Sequence, residues 1–261
     1  MVETKFFTDG EAYEKMMGRW SRVAGEDFIH WLSLPKGLDW VDVGCGTGAF
    51  TELIVDRCAP RHVNAIDPAE DQIAYARRRR SAAQVNYRVG DAMALPYGND
   101  EFDAGTMALV ITFVPDPMQA VAELARVVKP GGTVAAYMWD FYGKGSVQQP
   151  LFDAIKLLNV DVPMMPGNIN SQIDRMRGFF EGAALDHIMT DRIEIGVSFA
   201  DFDEYWDSQT ALSNFVVQAI RKMATPDVER LKDHLRKSLP TRNGRISYPA
   251  YANAVKGHVR A

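Results

Sequence analysis

The sequence is poor in cysteine, the residue on which small extracellular folds and many zinc sites depend. Its 261 residues include only Cys45 and Cys58. Two thiols are too few for a disulfide framework or for a zinc site made of four thiolates. We therefore expect no disulfide scaffold and no bound metal.

Long apolar runs and an excess of basic residues are also missing. The longest stretch without Asp, Glu, Lys or Arg, residues 208–220, contains three amide side chains and is shorter than the roughly 18 apolar residues of a membrane span. Residues 1–5 lack the basic start and apolar core of a signal peptide. The net charge of −5 disfavours nucleic acid, which binds to basic surfaces. We expect a cytoplasmic protein that binds neither membranes nor nucleic acid.

What the sequence does contain is typical of a globular protein. Hydrophobic residues make up 47% and charged residues 24% of the chain, which excludes disordered, collagen-like and coiled-coil proteins. The length suits one domain with an insertion. We predict a single domain, and its parts are a helical cap at 1–37, a core at 38–140, an insertion at 141–184 and the rest of the core at 185–261.

Short apolar runs alternate with amphipathic segments through the first half of the chain. We predict strands at 38–43, 62–66, 85–89, 102–109 and 133–139, with helices at 49–58, 69–80 and 116–128. Strands separated by helices at this spacing form parallel sheets through right-handed crossovers. Further on we predict helices at 146–159, 171–181, 201–209 and 225–238, and strands at 188–197 and 246–255. The first 37 residues are expected to be helical, with interruptions at Gly18 and Gly25.

The strongest motif is a glycine-rich turn between the first strand and the helix that follows it. Gly44, Gly46 and Gly48 have the spacing G-x-G-x-G, and glycine lets a backbone turn tightly and approach a ligand closely. A dinucleotide fingerprint would require another glycine at Ala49. The acidic Asp42 suits a cationic ligand better than a pyrophosphate.

Two further strand ends carry polar residues of a matching kind. Asp67 ends the second strand, where a carboxylate accepts hydrogen bonds from both hydroxyls of a ribose, and Pro68 offers an apolar surface for a purine. Asp91, with Ala92, follows the third strand and suits an exocyclic amine. Ligands of open parallel sheets bind at the carboxyl ends of the strands, so the three strand ends together predict a nucleoside site.

Residues 38–139 resemble the class I S-adenosylmethionine-dependent methyltransferases, most closely the branch that includes the ubiquinone/menaquinone-biosynthesis enzymes. The motifs that carry the resemblance are 42–48, Asp67, 90–92, 95–96, 102–103 and 124–132. The resemblance implies a Rossmann-like, doubly wound α/β fold. Its seven-stranded sheet is mostly parallel with an antiparallel last strand, and the N-terminal helical cap and the insertion after strand five are added to it.

The resemblance also implies roles for individual residues toward S-adenosyl-L-methionine. Its methionine and ribose would lie along the three glycines, its ammonium near Asp42, its ribose hydroxyls on Asp67, its adenine by Asp91 and Ala92, and its sulfonium near Leu109. A cap over the cofactor would include Tyr13, Trp20 and Arg22.

The expected reaction is methyl transfer to a small, partly hydrophobic acceptor. A sulfonium methyl is already electrophilic, and holding the reactants in line supplies about 7–11 kcal/mol without any catalytic side chain. The sequence does not identify a general base. Asp140 and His30 are weak candidates, and Asp140 is more simply interpreted as a loop contact. The identity of the acceptor, the atom that is methylated and the oligomeric state do not follow from the sequence.

Two other functions remain open at this point. A nicotinamide-dependent oxidoreductase is disfavoured by Ala49, whereas a catalytically silent cofactor-binding protein would lack room beside Leu109. The run of four arginines at 77–80 is interpreted as the solvated end of a helix rather than as a nucleic-acid patch.

Overall fold

The computed structural model describes residues 17–160, 162, 166–211 and 215–260. The helices are α1 (Arg19–Leu32), α2 (Ala49–Cys58), α3 (Glu70–Ala76), α4 (Pro117–Val127), α5 (Gln149–Leu157), α6 (Ile173–Gly182), α7 (Phe202–Thr210), α8 (Phe215–Lys222) and α9 (Thr225–Ser238). The strands are β1 (Asp39–Val43), β2 (His62–Asp67), β3 (Val85–Val89), β4 (Phe102–Ala108), β5 (Val128–Trp139), β6 (Asp186–Phe199), β7 (Thr241–Arg242) and β8 (Arg245–His258). Short 3₁₀ helices lie at Ala82–Gln84 and Pro166–Ser171.

The strands form one mixed sheet in the order β3-β2-β1-β4-β5-β8-β6, and the two-residue β7 pairs with β8. β1 to β5 pair in parallel, whereas β8 is antiparallel to both β5 and β6. The predicted Rossmann-like, mostly parallel sheet with an antiparallel last long strand is confirmed. Because the first five strands are parallel, their carboxyl ends lie at the same edge of the sheet.

Helix α4 shows how local sequence sets these elements. Asp116 caps its first turn by accepting a hydrogen bond from the Gln119 amide at 3.1 Å, and Pro117 stands in the first turn, where a missing N–H costs nothing. Ala120, Val121 and Leu124 have no exposed surface. Their spacing places them on one side of the helix, which packs against the sheet.

Adjacent residues of one strand face opposite sides of the sheet, and the two sides have separate cores. Trp40 and Tyr137 belong to the core beneath α1 and α2. Their neighbours Val41 and Met138 belong to the core beneath α4 and α6. Helices therefore cover both faces, as a doubly wound fold requires.

Helix α1 passes through Gly25 without a break, so the expected interruption there is wrong; Gly18 directly precedes the helix. A Cβ at Gly25 would lie 2.9 Å from Cδ1 of Leu53 on α2. The missing side chain therefore allows α1 and α2 to pack closely. The C-terminal end of α1 contacts β8, because the Lys256 Nζ donates to the carbonyl of Trp31 at 2.8 Å.

Several boundaries differ from the prediction. Strand β5 was predicted to begin at residue 133, after Gly131 and Gly132. It begins at Val128, because the strand continues through both glycines. Helix α8 was not predicted. The predicted helices of the insertion are present as α5 and α6, and the last strand continues to His258, within the extension to residue 259 that the sequence left open. Within the described parts of the chain, none of the helices is long and apolar enough to span a membrane.

Candidate functional site

A cleft of about 1690 Å³ opens at the carboxyl edge of the parallel strands. Eight of the predicted site residues line it: Arg22, Gly44, Gly46, Asp67, Pro68, Asp91, Ala92 and Leu109. The structure thus brings the ends of β1, β2, β3 and β4 together around one cavity. Single ligand pockets occupy about 300–1,000 Å³, so the cleft is large enough for more than one small molecule.

The glycine turn lines the cleft with one glycine open toward it and two packed closely. Gly44, Gly46 and Gly48 have φ values of +74°, +53° and +79°, in the left-handed region that favours glycine. A Cβ at Gly44 would collide with Val110, at 2.4 Å, and one at Gly48 with the Tyr87 hydroxyl, at 2.7 Å. A Cβ at Gly46 would meet nothing within 4 Å. A side chain at position 46 would therefore fill space that the cleft leaves open.

Asp67 both shapes this turn and faces the cleft. Its Oδ2 accepts a hydrogen bond from the Gly46 amide at 2.9 Å, and its Oδ1 accepts one from the Ala69 amide at 2.9 Å. Partial burial raises the pKa of the carboxyl above its ordinary value. Each carboxylate oxygen has a second lone pair, so Asp67 can accept further hydrogen bonds from a ligand.

Asp42 lies beneath the turn and does not line the cleft, contrary to the expectation that it faces a ligand. The side chain is fully buried; it accepts hydrogen bonds from the hydroxyls of Thr51, at 2.6 Å, and Thr106, at 3.2 Å. Burial raises the pKa of Asp42 to about 6. This carboxyl therefore ties β1 to α2 and β4 and supports the turn from below.

The loop after β3 is held by a hydrogen bond within it. Asp91 Oδ1 accepts from the Met93 amide at 2.8 Å, while the neighbouring Ala92 is buried. Asp91 is exposed and lines the cleft, so its second carboxylate oxygen is available to a ligand.

The predicted cap is only partly at the cleft. Arg22 lines it, whereas Trp20 does not. Trp20 is 6% exposed and packs edge-on against Phe199 at 5.7 Å, so it is a core residue that anchors α1. Tyr13 lies outside the described residues.

Arg79 contacts the glycine turn from behind, a role that sequence reasoning missed. Its Nε donates to the Thr47 carbonyl at 2.6 Å, and its Nη1 lies 3.2 Å from Glu52 of α2. Arg77 donates to the Tyr87 carbonyl, and Arg80 pairs with Asp56. Helix α3 ends at Ala76, so the arginine run is not its last turn. Three of the four arginines form hydrogen bonds or an ion pair within the protein, and no periodic pattern could have shown these partners.

Leu109 directly follows β4 and lines the cleft. Its φ of +62° is unusual for a residue with a branched side chain and costs about 1–3 kcal/mol. Its amide donates to the Tyr137 carbonyl at 2.8 Å, which holds this conformation at the end of β4.

Beyond Leu109 the cleft is enclosed by the segment that follows β5. Trp139, Phe141 and Phe152 line this part. A Cβ at Gly167 would lie 1.9 Å from the Thr112 carbonyl oxygen, so the 3₁₀ helix Pro166–Ser171 packs directly on the loop after β4. Leu109 and Trp139 line the same cavity as residues of the insertion such as Phe152.

Neither weak candidate for a general base lines the cleft. The buried Asp140 accepts from the Gly143 amide at 2.7 Å and lies 3.5 Å from Arg192, which is the loop contact that the sequence favoured. His30 is exposed on α1. Among the residues that the structure describes, no histidine lines the cleft, and no group of three or more potential ligands could hold a metal ion.

The fold is the Rossmann-like fold of methyltransferases, and part of the sequence matches the same class. Residues 41–136 match a family model described as a methyltransferase domain. This part of the chain is therefore similar to methyltransferase domains.

The sequence relatives include methyltransferases that act in quinone biosynthesis. The chain is 34% identical over 115 residues to the ubiquinone/menaquinone biosynthesis C-methyltransferase of Roseobacter denitrificans, covering 42% of this chain and 46% of that protein. It is 30% identical over 149 residues to the demethylmenaquinone methyltransferase of Halalkalibacterium halodurans, covering 51% and 61%. The chain thus matches about half the length of these curated relatives.

Solved structures share the fold at low sequence identity. The YcgJ protein of Bacillus subtilis superimposes with a TM-score of 0.58 at 17% identity, covering 92% of this chain and 99% of that one. Phosphoethanolamine N-methyltransferase 2 of Haemonchus contortus, solved in complex with S-adenosyl-L-methionine, has a TM-score of 0.58 at 14% identity, covering 99% and 59%. These likenesses establish the fold.

Proposed function

We propose that this protein transfers the methyl group of S-adenosyl-L-methionine to a small, partly hydrophobic acceptor. One observation carries the proposal: a single cleft runs from the glycine turn and Asp67, past Leu109, into a chamber walled by the insertion. We call the lining residues between 17 and 92 the donor half of the cleft and those between 108 and 175 the acceptor half.

The charges of the donor half suit a cationic nucleoside. Its acidic lining residues are Asp67, Glu70, Asp71 and Asp91. Among the described residues of this half the basic side chain is Arg22, and it lies 3.5 Å from Glu26. A pyrophosphate would be repelled by this set, whereas a sulfonium and an ammonium would be attracted.

The resemblance to S-adenosylmethionine-dependent methyltransferases suggests which of the lining residues hold S-adenosyl-L-methionine. Gly46 leaves space for its methionine and ribose, Asp67 accepts from the ribose hydroxyls, and Asp91 with Ala92 borders the adenine. Leu109 borders the sulfonium. When bound, the cofactor supplies an electrophilic methyl group; the chain itself positions both reactants and excludes water.

Among the residues that the structure describes, neither a histidine nor Asp140 lines the cleft, which bears on the acceptor. An alcohol would need a base to remove its proton, whereas a free amine or a stabilised carbanion already presents a lone pair. We infer that the acceptor reaches the cleft with its nucleophilic atom available.

The alternative functions are less well supported by the cleft. A nicotinamide-dependent oxidoreductase would bind a pyrophosphate, which the acidic donor half disfavours. Ala49 also occupies the position where a dinucleotide fingerprint has glycine. A catalytically silent binding protein would lack space beside Leu109, and the acceptor half provides that space.

Transfer of labelled methyl groups tests the proposal. The protein is incubated with methyl-labelled S-adenosyl-L-methionine and fractionated metabolite extracts, and we expect label in a small molecule. Label found only on protein or RNA would contradict the small acceptor. Tighter binding of NADH than of S-adenosylhomocysteine would favour the oxidoreductase instead.

A further inference from the structure

Two segments that line the acceptor half of the cleft are both attached to strand β8. One is the loop after β5, of which Phe141 and Tyr142 line the cleft. The other is the 3₁₀ helix Pro166–Ser171, of which residues 167–170 line it. We call these two segments the walls of the acceptor half.

A buried amide on β8 holds the 3₁₀ helix. The Asn253 side chain is 4% exposed, and its Nδ2 donates to the main-chain carbonyl of Ser171 at 2.8 Å. Asn253 pairs with Met138 of β5, which lines the cleft, whereas Asn253 itself does not. A buried donor that is left without a partner costs free energy. The amide and the carbonyl therefore keep each other in place.

Ser171 joins the two walls to one another. It has no exposed surface; its hydroxyl donates to the Asn168 carbonyl at 2.7 Å and accepts from the Tyr142 amide at 3.3 Å. Any movement of Ser171 away from Asn253 would therefore disturb both walls at once.

The loop after β5 is attached to β8 at its ends by backbone hydrogen bonds. The Asp140 amide donates to the Tyr251 carbonyl at 3.0 Å, and the Tyr251 amide donates to the Gly145 carbonyl at 2.7 Å. Between these ends, the Tyr142 amide has its contact with Ser171. The middle of this loop, which lines the cleft, therefore depends on the 3₁₀ helix.

We propose that Asn253 and Ser171 are positioning residues for the methyl acceptor, because together they keep both walls of the acceptor half in place before the acceptor binds. A preformed site spares the acceptor the free energy of ordering the walls. This inference rests on the proposed function for the identity of the ligand. The coupling of the walls through Ser171 does not depend on methyl transfer.

Hydrogen–deuterium exchange of the full chain tests the coupling. Asn253→Leu nearly keeps the size of the side chain and removes its donor. We expect exchange to become about tenfold faster both at 141–143 and at 167–172, while the glycine turn at 44–48 exchanges at the wild-type rate. Ser171→Ala removes the hydroxyl and keeps the carbonyl, so its main effect should be at 141–143.

Thr133→Val is the matched control. Thr133 is also 4% exposed, and its Oγ1 lies 3.3 Å from Nδ1 of His258. The substitution therefore removes a buried polar contact between β5 and β8, but toward the opposite edge of the sheet. Neither wall should exchange faster in this variant. Far-ultraviolet circular dichroism confirms that each variant is folded.

Methyl-transfer kinetics separate a positioning role from a merely structural one. The acceptor used is the extract fraction that the wild-type protein labels. Asn253→Leu should raise the apparent KM for that fraction several-fold, with little change in kcat or in the KM for S-adenosyl-L-methionine.

Unchanged exchange in both walls of Asn253→Leu, or equally faster exchange in Thr133→Val, would overturn the coupling. An equal rise in both KM values would contradict the positioning role. The absence of any label transfer by the wild-type protein would instead remove the proposed function, and the exchange rates would still decide whether Asn253 holds the walls.

Discussion

At the scale of single residues, the glycine turn is held by groups on both sides. Asp67, just before α3, accepts from the Gly46 amide, and Arg79, just after α3, donates to the Thr47 carbonyl. Residues on either side of α3 therefore both form hydrogen bonds to the turn. Since the turn lines the cleft, these contacts would preorganise it for a ligand.

We predict that Arg79→Ala weakens binding of S-adenosylhomocysteine about tenfold. The guanidinium is mostly buried (17% exposed), and a hydrogen bond to a charged group contributes about 1.5–3 kcal/mol. Isothermal titration calorimetry gives the affinity. Arg78→Ala is the matched control, because Arg78 stacks on Tyr75 at 5.0 Å and has no contact with the turn. Partial recovery of the affinity in Arg79→Lys would show that Arg79 positions the turn rather than stabilising the protein in general. Equal affinities of Arg79→Ala and Arg78→Ala for S-adenosylhomocysteine would contradict this role of Arg79.

The buried Asp42 predicts an unusual dependence of stability on pH. Its pKa rises from 3.8 to about 6 on folding, so between these values the folded state binds a proton that the unfolded state has lost. The contribution of Asp42 to stability is therefore largest at acid pH and falls as the pH rises through 6, by about 3 kcal/mol in all.

Thermal unfolding of Asp42→Asn against wild type between pH 4 and pH 7 measures this effect. The difference in melting temperature should shift in favour of the asparagine variant as the pH rises, because only the wild type must bury a charge. A constant difference across this range would show that Asp42 does not titrate there.

At the scale of elements, helix α1 depends on the far end of the chain. Lys256 of β8 donates to the carbonyls of Trp31 and Leu32, at 2.8 and 3.3 Å, and its ammonium lies over the Trp31 ring at 4.5 Å. A cation at a helix C-terminus complements the helix dipole. The last turn of α1 is thus completed by a side chain from another element.

Lys256→Met keeps the apolar stem and removes the ammonium, and we predict a loss of about 1–2 kcal/mol in the free energy of unfolding. Urea unfolding measures the loss, and hydrogen exchange should show faster opening in the last turn of α1. Lys237→Met, an exposed change on α9, controls for the substitution. An equal and small effect of both substitutions would mean that the cap does not stabilise α1.

The sheet and most helices could be predicted from local sequence patterns. These elements depend on the alternation of apolar and polar segments, on turn residues and on the glycine motif. Helix α2 and strand β3 have the predicted bounds, and the residues at strand ends meet as expected. Long-range packing was not readable in the same way. The continuity of α1 at Gly25 depends on Leu53, and the core position of Trp20 depends on Phe199. The partners of Arg79 are likewise set by the tertiary fold.

At the scale of the whole molecule, the parallel sheet and the insertion line one cleft. The sheet edge supplies the donor half, which the motifs predicted. The acceptor half is built from loops and short helices whose sequence carries no motif, so its shape could be known only from the structure. The acidic lining of the donor half suits a cationic donor.

Calorimetric titration with S-adenosylhomocysteine tests most directly whether the cleft binds a sulfur nucleoside. We predict saturable binding to the wild-type protein and a loss of at least about tenfold in Asp67→Ala, because that change removes both the proposed ribose acceptor and the contact to Gly46. Asp71→Asn, which removes a charge from the same half of the cleft but no contact to the turn, should have a smaller effect. No heat with the wild type, or equal affinity in Asp67→Ala, would contradict the nucleoside site.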